Sequence, residues 1–274
     1  MRRMHFSAVT TASTALALLA VPLMAQQARA PRPSAAIVAA VANPARSPAN
    51  RLRDGARHPA ETLAFFGVKP SDTVVEFIPG GGWYTEILAP LVKARGRYVA
   101  LVPAASVARA QTALDARKAQ FGAITVAGLD AAAGTTTLPP ASADVVLTFR
   151  NVHNLLMSDD AGAADGALKG FYAALKPGGM LGVVDHRLPE EMDSARERTS
   201  GYVKRSTVIR LATAAGFRLV GESSVNANAR DTHDHPEGVW TLPPTLRLKD
   251  RDRTRYQAIG ESDRMTLKFR KPPR

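Results

Sequence analysis

The sequence predicts an α/β fold with a mostly parallel sheet, and three observations carry that expectation. Short runs rich in β-branched and apolar residues recur at Thr73–Ile78, Arg97–Val102, Ile124–Asp130, Ala143–Phe149 and Met180–Arg187. Such runs suit strands buried on both faces. Stretches of helical pattern lie between them, as the crossovers of a parallel sheet require. Finally, Thr73–Thr85 (TVVEFIPGGGWYT) joins a strand to a helix through three consecutive glycines. A turn without Cβ atoms lets the main chain take positive φ and approach a ligand closely.

The chain opens MRRMHFSAVTTASTALALLAVPLMAQQARA. Arg2 and Arg3 form a basic segment, Ala8–Ala25 is uncharged and mostly apolar, and small residues close it. This is the pattern of a secretory signal peptide over residues 1–25. Cleavage after Ala25 or Ala30 is expected to leave a periplasmic or secreted protein with no stable membrane anchor. The sequence contains no cysteine, which removes disulfides and lipid attachment through an N-terminal cysteine. Lys and Arg exceed Asp and Glu by 36 to 24. The basic residues are interspersed with acids and accompany no aromatic stacking set, so specific nucleic-acid binding is not expected.

Residues 26–46, rich in Ala and Pro, read as a flexible linker, and 47–274 read as one domain. Ser47-Pro48 offers a helix start, and Pro59–Phe66 a second helix stopped by Gly67. Pro79 ends the first strand, and a helix is expected over Trp83–Val92. The third glycine of a GxGxxG dinucleotide pattern falls at Thr85, so that pattern is not met. Further helices are expected over Val107–Phe121, Ala161–Leu175 (before the KPGG turn, Lys176–Gly179) and Ser206–Gly216. Phe217–Ser224 and Arg264–Lys271 read as the last two strands, with residues 225–263 as an insertion between them.

Arg150–Asn154 (RNVHN) follows the fourth strand directly. Dense polar side chains at a strand's carboxyl end suit a catalytic edge. His153 there and His186 after the next strand fall on the same edge. His233 and His235, near Asp231, Asp234 and Glu237, leave a metal-dependent hydrolase open as a reading, because an HxH pair binds metal when a third ligand converges. The same residues suit turn capping, and no metal ligand is assigned.

Glu76, Gly80 and Gly82 match the acid-x-G-x-G-x-G motif of class I S-adenosylmethionine-dependent methyltransferases, with Ile78 in place of the first glycine. From Pro48 onward the chain resembles a family of exported bacterial predicted methyltransferases of that class. The shared phrases are HPAETLAFFG, PGGGWYTEIL, RNVHN, YVKRSTVIRLA, DHPEGVWTLPPTLR and IGESDRMTLKF. The resemblance implies a Rossmann-like, seven-stranded class I methyltransferase sheet, mostly parallel with an antiparallel last strand. It implies S-adenosyl-L-methionine as cofactor and a small molecule or envelope component as acceptor. By the same resemblance Glu76, Gly80, Gly81, Gly82, Trp83, Tyr84, Asp130, Arg150 and Asn151 line the cofactor site, under a cover carrying Arg53, Asp54, Arg57 and His58. His153 is the expected base, Asn154 the group orienting the acceptor, and His186 the second candidate base. The ribose-binding acid usual at the end of the second strand is replaced by Leu101-Val102-Pro103, with Ser106 the nearest polar group. The alternative is a non-catalytic small-ligand-binding module on the same fold.

Overall fold

A computed structural model describes residues 31–122 and 124–273. The signal peptide expected over 1–25, with both cleavage positions, lies outside the described residues. Among those described, no helix is long and apolar enough to cross a membrane.

The N-terminal part contains helices α1 (Ala35–Val41), α2 (Pro48–Arg51), α3 (Asp54–Arg57) and α4 (Pro59–Phe66). Strand β1 (Thr73–Phe77), helix α5 (Thr85–Val92), strand β2 (Arg97–Pro103), helices α6 (Val107–Asp115) and α7 (Lys118–Phe121), and strands β3 (Thr125–Asp130) and β4 (Thr135–Thr136) follow. Next come β5 (Ala143–Phe149), α8 (Val152–Leu156), α9 (Ala163–Ala174) and β6 (Leu175–Leu188). The chain finishes with β7 (Val203–Lys204), α10 (Arg205–Ala214), β8 (Arg218–Ser223), α11 (Arg253–Ile259) and β9 (Arg264–Arg270).

The sheet runs β4-β3-β2-β1-β5-β6-β9-β8, with β7 beside β6. Strands β3, β2, β1, β5 and β6 are mutually parallel, and β9 enters antiparallel between β6 and β8. The mostly parallel sheet and antiparallel last strand expected from the sequence are therefore present; β4 and β7 add two-residue bridges to the seven long strands.

Strand parity sorts the side chains between two cores. Val75 and Phe77 of β1, with Val99 and Leu101 of β2, pack with Leu168 and Phe171 of α9 and Leu211 of α10. Val74, Tyr98 and Ala100 pack on the opposite face with Leu63 and Phe66 of α4 and Ile87 and Leu88 of α5. The Phe77 and Phe171 rings meet edge-on at 5.0 Å. Burying such a side chain contributes about 1.5–3 kcal/mol. The same alternation sends Glu76 toward α5, although it sits in an apolar strand.

Several elements differ from expectation: the helix expected over Val107–Phe121 is split into α6 and α7, and the KPGG turn expected at Lys176–Gly179 lies within β6. The linker expected over 26–46 is not extended throughout: α1 lies inside it, started by Ser34, whose hydroxyl accepts the Ile37 N–H at 3.3 Å. Ile37 and Ala40 are buried against α4 and α5, and that apolar pair, three residues apart, is what holds the segment down. RNVHN, expected as a polar connection, contains helix α8 from Val152; its first N–H groups are satisfied from a distant strand, which no local pattern reveals.

Candidate active site

The sheet order reverses between β1 and β5, and their crossovers diverge there, leaving a crevice at the carboxyl ends. Ile78 leaves β1 at φ 49° and Arg150 leaves β5 at φ 63°. Both are non-glycine residues in the left-handed region, where strain of about 1–3 kcal/mol is usual and functional sites concentrate. Ile78 thus adopts the conformation that a glycine in the motif would supply. Between the two strand ends lies a cavity of about 200 Å³ lined by Ile78, Pro79, Gly80, Gly81 and Glu76 on one side and Phe149, Arg150 and Asn151 on the other.

A Cβ added to Gly80 or Gly81 meets nothing within 4 Å, so the outer face of the turn is open. At Gly82 it comes within 2.7 Å of Arg117 Nη1, and that guanidinium is tied to Gly81 O and Glu86 Oε1. Gly82 therefore serves packing, whereas Gly80 and Gly81 leave space for a ligand. Trp83 and Tyr84 complete the turn and α5 begins at Thr85, later than expected. Trp83 Nε1 donates to Asn50 O at 2.8 Å, which pins α2 over the turn. Tyr84 stacks on Phe149, 3.5 Å between centroids.

Glu76 is 3 % exposed. Its Oε2 accepts from Tyr98 Oη at 2.6 Å and Thr85 Oγ1 at 3.2 Å; Oε1 makes no hydrogen bond to a described residue. Burial outweighs these two donors and raises its pKa from 4.5 to about 7. The expected cover is present in α2 and α3. Arg53 and Arg57 line the cavity, and each donates through Nε to Glu261, at 2.8 and 3.0 Å, a carboxylate that Arg264 also reaches at 3.1 Å. Asp54 instead pairs with the buried Arg46, and His58 forms the left-handed joint between α3 and α4.

The histidine edge is formed by α8 and the carboxyl-terminal part of β6. Asp185, fully buried at the end of β6, accepts from four donors: His153 Nδ1 (2.7 Å), His186 N (2.8 Å), Val152 N (2.7 Å) and His153 N (3.2 Å). Two of these are the first amides of α8, so the carboxylate caps that helix from β6. With Asp185 as acceptor, His153 carries its proton on Nδ1 and its basic lone pair on Nε2. His186, 5.0 Å from His153 between ring centroids, exchanges a 2.5 Å hydrogen bond with Ser262. Burial, with His153 and Arg150 nearby, holds its pKa well below 6.5, so it is neutral. His153, Asp185 and His186 each bring one potential ligand atom within 4.8 Å of the others, but a metal there displaces donors from an already saturated carboxylate.

Of the residues expected to bind cofactor, Glu76, Gly80, Gly81, Trp83, Tyr84, Arg150 and Asn151 line one cavity. Asn151 is also committed to the scaffold, donating to Phe77 O at 2.9 Å. Asp130 lies outside it, capping its own turn through Ala133 N at 3.0 Å, and Ser106 lies outside it too. Asn154, on α8, is exposed and donates to Arg150 O at 3.3 Å. His233 and His235 do not converge: His235 Nε2 pairs with Asp231 at 2.8 Å and His233 Nε2 with Asp263 at 3.3 Å. The sequence reading missed Asp185 and Glu261. Asp185 had a signal, an acid closing an apolar strand; Glu261 had none, because its arginine partners in the cover lie more than 200 positions away.

No family model matches the chain, and no curated protein matches it. Among solved structures it is similar to a SAM dependent methyltransferase from Aquifex aeolicus, with TM-score 0.53 and 15 % identity over 82 % of this chain and 94 % of that one. It is similar to the cyclase SpnF, with TM-score 0.54 and 17 % identity over 87 % and 93 % of the two chains. A third is an arsenic (III) S-adenosylmethionine methyltransferase from Chlamydomonas reinhardtii, with TM-score 0.50 and 17 % identity over 88 % and 74 %. The fold is the Rossmann-like α/β fold of class I methyltransferases.

Proposed function

We propose that the chain is an exported S-adenosylmethionine-dependent methyltransferase acting on a small molecule or an envelope component. The observation that carries this reading is the open cradle at Gly80 and Gly81, set at the switch point beside Glu76. S-adenosylmethionine supplies a methyl group already activated on a sulfonium centre. Glu76 would hold the ammonium of its amino-acid tail through Oε1, and Trp83, Tyr84 and Phe149 offer apolar surface around it. The fit is to the tail; β2 ends in Val102 and Pro103 and offers no acid for a ribose. At about 200 Å³ the cavity is also below the range of about 300–1,000 Å³ usual for small-molecule pockets. Seating a whole nucleoside there requires the α2–α3 cover to move outward.

On the acceptor side, His153 Nε2 takes the proton of an O–H or N–H nucleophile while Asp185 holds the ring in orientation. Alignment of the two reactants supplies most of the rate. Isothermal titration with S-adenosylhomocysteine tests the proposal: one-to-one binding is expected, and it is weakened in Gly81→Leu, which puts a branched side chain on the open face of the turn at a position without positive φ. Absence of heat at millimolar ligand removes the reading. The missing acid at Val102–Pro103 favours a second one, a ligand-binding module without turnover, and labelled-methyl transfer to an envelope extract separates the two. Export rests on the leader; the N-terminal residue of protein recovered outside the cytosol tests it.

A further inference from the structure

We propose that Arg53, Arg57 and Arg150 form a binding site for an oxyanion, a carboxylate or phosphoryl group, in the cavity above Gly80 and Gly81. All three line that cavity. Arg53, Arg57 and Arg264 share the single carboxylate of Glu261, which leaves their charge uncompensated. Arg57 is only 2 % exposed, its guanidinium stands 4.8 Å over the Trp83 ring, and its Nη2 is buried with no hydrogen-bond partner. Arg53 Nη2 is orphaned in the same way. Arg150 makes no side-chain hydrogen bond or ion pair to a described residue and is held in a left-handed conformation at the cavity rim.

Buried guanidinium donors are ordinarily paired, because leaving them unpaired costs more than the bond itself returns. Here the unpaired donors belong to residues that surround one hollow beside an open glycine turn. Planar forks of N–H groups match the paired oxygens of carboxylate and phosphate. Because Arg53 and Arg57 belong to the cover and Arg150 to the sheet edge, a bound oxyanion bridges the two.

The oxyanion has two sources, the carboxylate of the methyl donor's tail or a free or acceptor-borne phosphate, and only the first rests on the methyltransferase reading. Titration calorimetry at fixed ionic strength separates them, using inorganic phosphate, S-adenosylhomocysteine and 5′-methylthioadenosine, which lacks the tail. Arg150→Gln and Arg53→Gln are the variants; Arg150 has no side-chain hydrogen bond to a described residue to lose, Glu261 keeps two arginines without Arg53, and melting temperature checks folding. Losing one charge-assisted bond weakens binding about tenfold or more. A loss of that size for S-adenosylhomocysteine but not for methylthioadenosine assigns the site to the tail. The same loss for phosphate, with S-adenosylhomocysteine unchanged, assigns it to a separate anion. If S-adenosylhomocysteine fails to bind the unmodified protein, the methyltransferase reading falls while the phosphate titration still decides the site. The inference is overturned if the unmodified protein binds neither phosphate nor S-adenosylhomocysteine, or if both variants bind them unchanged.

Discussion

The hollow above the glycine turn and the histidine edge under residues 225–263 stand on neighbouring strand ends of one sheet, yet they treat their polar groups in opposite ways. At the edge, Asp185 accepts four donors, Tyr202 Oη donates to Asp231, and Arg187 grips Asp263 with two hydrogen bonds. In the hollow, Arg53 and Arg57 keep buried N–H groups without acceptors, Glu76 is buried in an apolar face, and Ile78 and Arg150 are strained. One open donor remains at the edge, Arg196 Nε, whose guanidinium also bonds His233 O, but the carboxylates of Asp185, Asp231 and Asp263 are all paired. A network closed in this way stabilises the protein alone, whereas the open valences around the hollow leave room for a ligand. The contrast assigns the hollow to ligand and most of the edge to architecture, with Nε2 of His153 and of His186 left for chemistry among the described residues.

The contrast is tested most severely at Asp185. Asp185→Ala strips acceptors from two buried amides, one part-buried amide and one imidazole, and a loss of about 3–5 kcal/mol is expected in urea unfolding. A cost no larger than that of Arg53→Gln erases the distinction between the regions.

The next effect is in pH. Glu76 has a folded pKa of about 7 against 4.5, so the native state binds more protons than the unfolded one between those values. Its contribution is full below pH 4.5 and is lost as pH rises toward 7, a decline of ~3 kcal/mol. His186 acts with the opposite sign, since its folded pKa lies below 6.5: its contribution is present above 6.5 and is lost as pH falls. Melting temperatures across this window should lose the first slope in Glu76→Gln and the second in His186→Gln. If Glu76→Gln leaves the profile unchanged, the carboxyl is not buried as described.

Tyr98→Phe removes the 2.6 Å donor to Glu76 and should cost about 1 kcal/mol, with the Glu76 midpoint moving further up. The smallest change is expected for Ile78→Gly. Relief of about 1–2 kcal/mol of left-handed strain is offset by glycine's entropy, about 0.5–1 kcal/mol, and by lost contact of a partly buried side chain. Net stability should stay within ~1 kcal/mol, whereas a large loss shows that Ile78 is needed as a side chain and not merely as a turn.

What the sequence disclosed follows from which interactions are local. The strand, glycine turn and helix from Thr73 to Val92 were legible because parity, chain reversal and helix pattern are written in neighbouring residues. Parity alone also places Glu76 and Tyr98 on one face, since β1 and β2 pair Val74 with Tyr98. Helix α1 carried a local signal, Ser34 followed by Ile37, that the Ala-rich composition around it obscured. Glu261 meeting Arg53 and Arg57, and Asp185 capping α8, depend on strand ends brought together only by the finished sheet.

The chain's two tryptophans fall one to each region. Trp83 stands beneath the guanidiniums of Arg46 and Arg57, while Trp240 lies under Arg247 and 6.3 Å from the His153 ring. Nature has thereby placed two indole fluorophores as separate optical gauges: with Trp240→Phe the remaining emission reports only on the lid and its turn, and with Trp83→Phe only on the imidazole side. Spectroscopy on the two single-emitter proteins can follow arrival of a ligand at either station without any added dye.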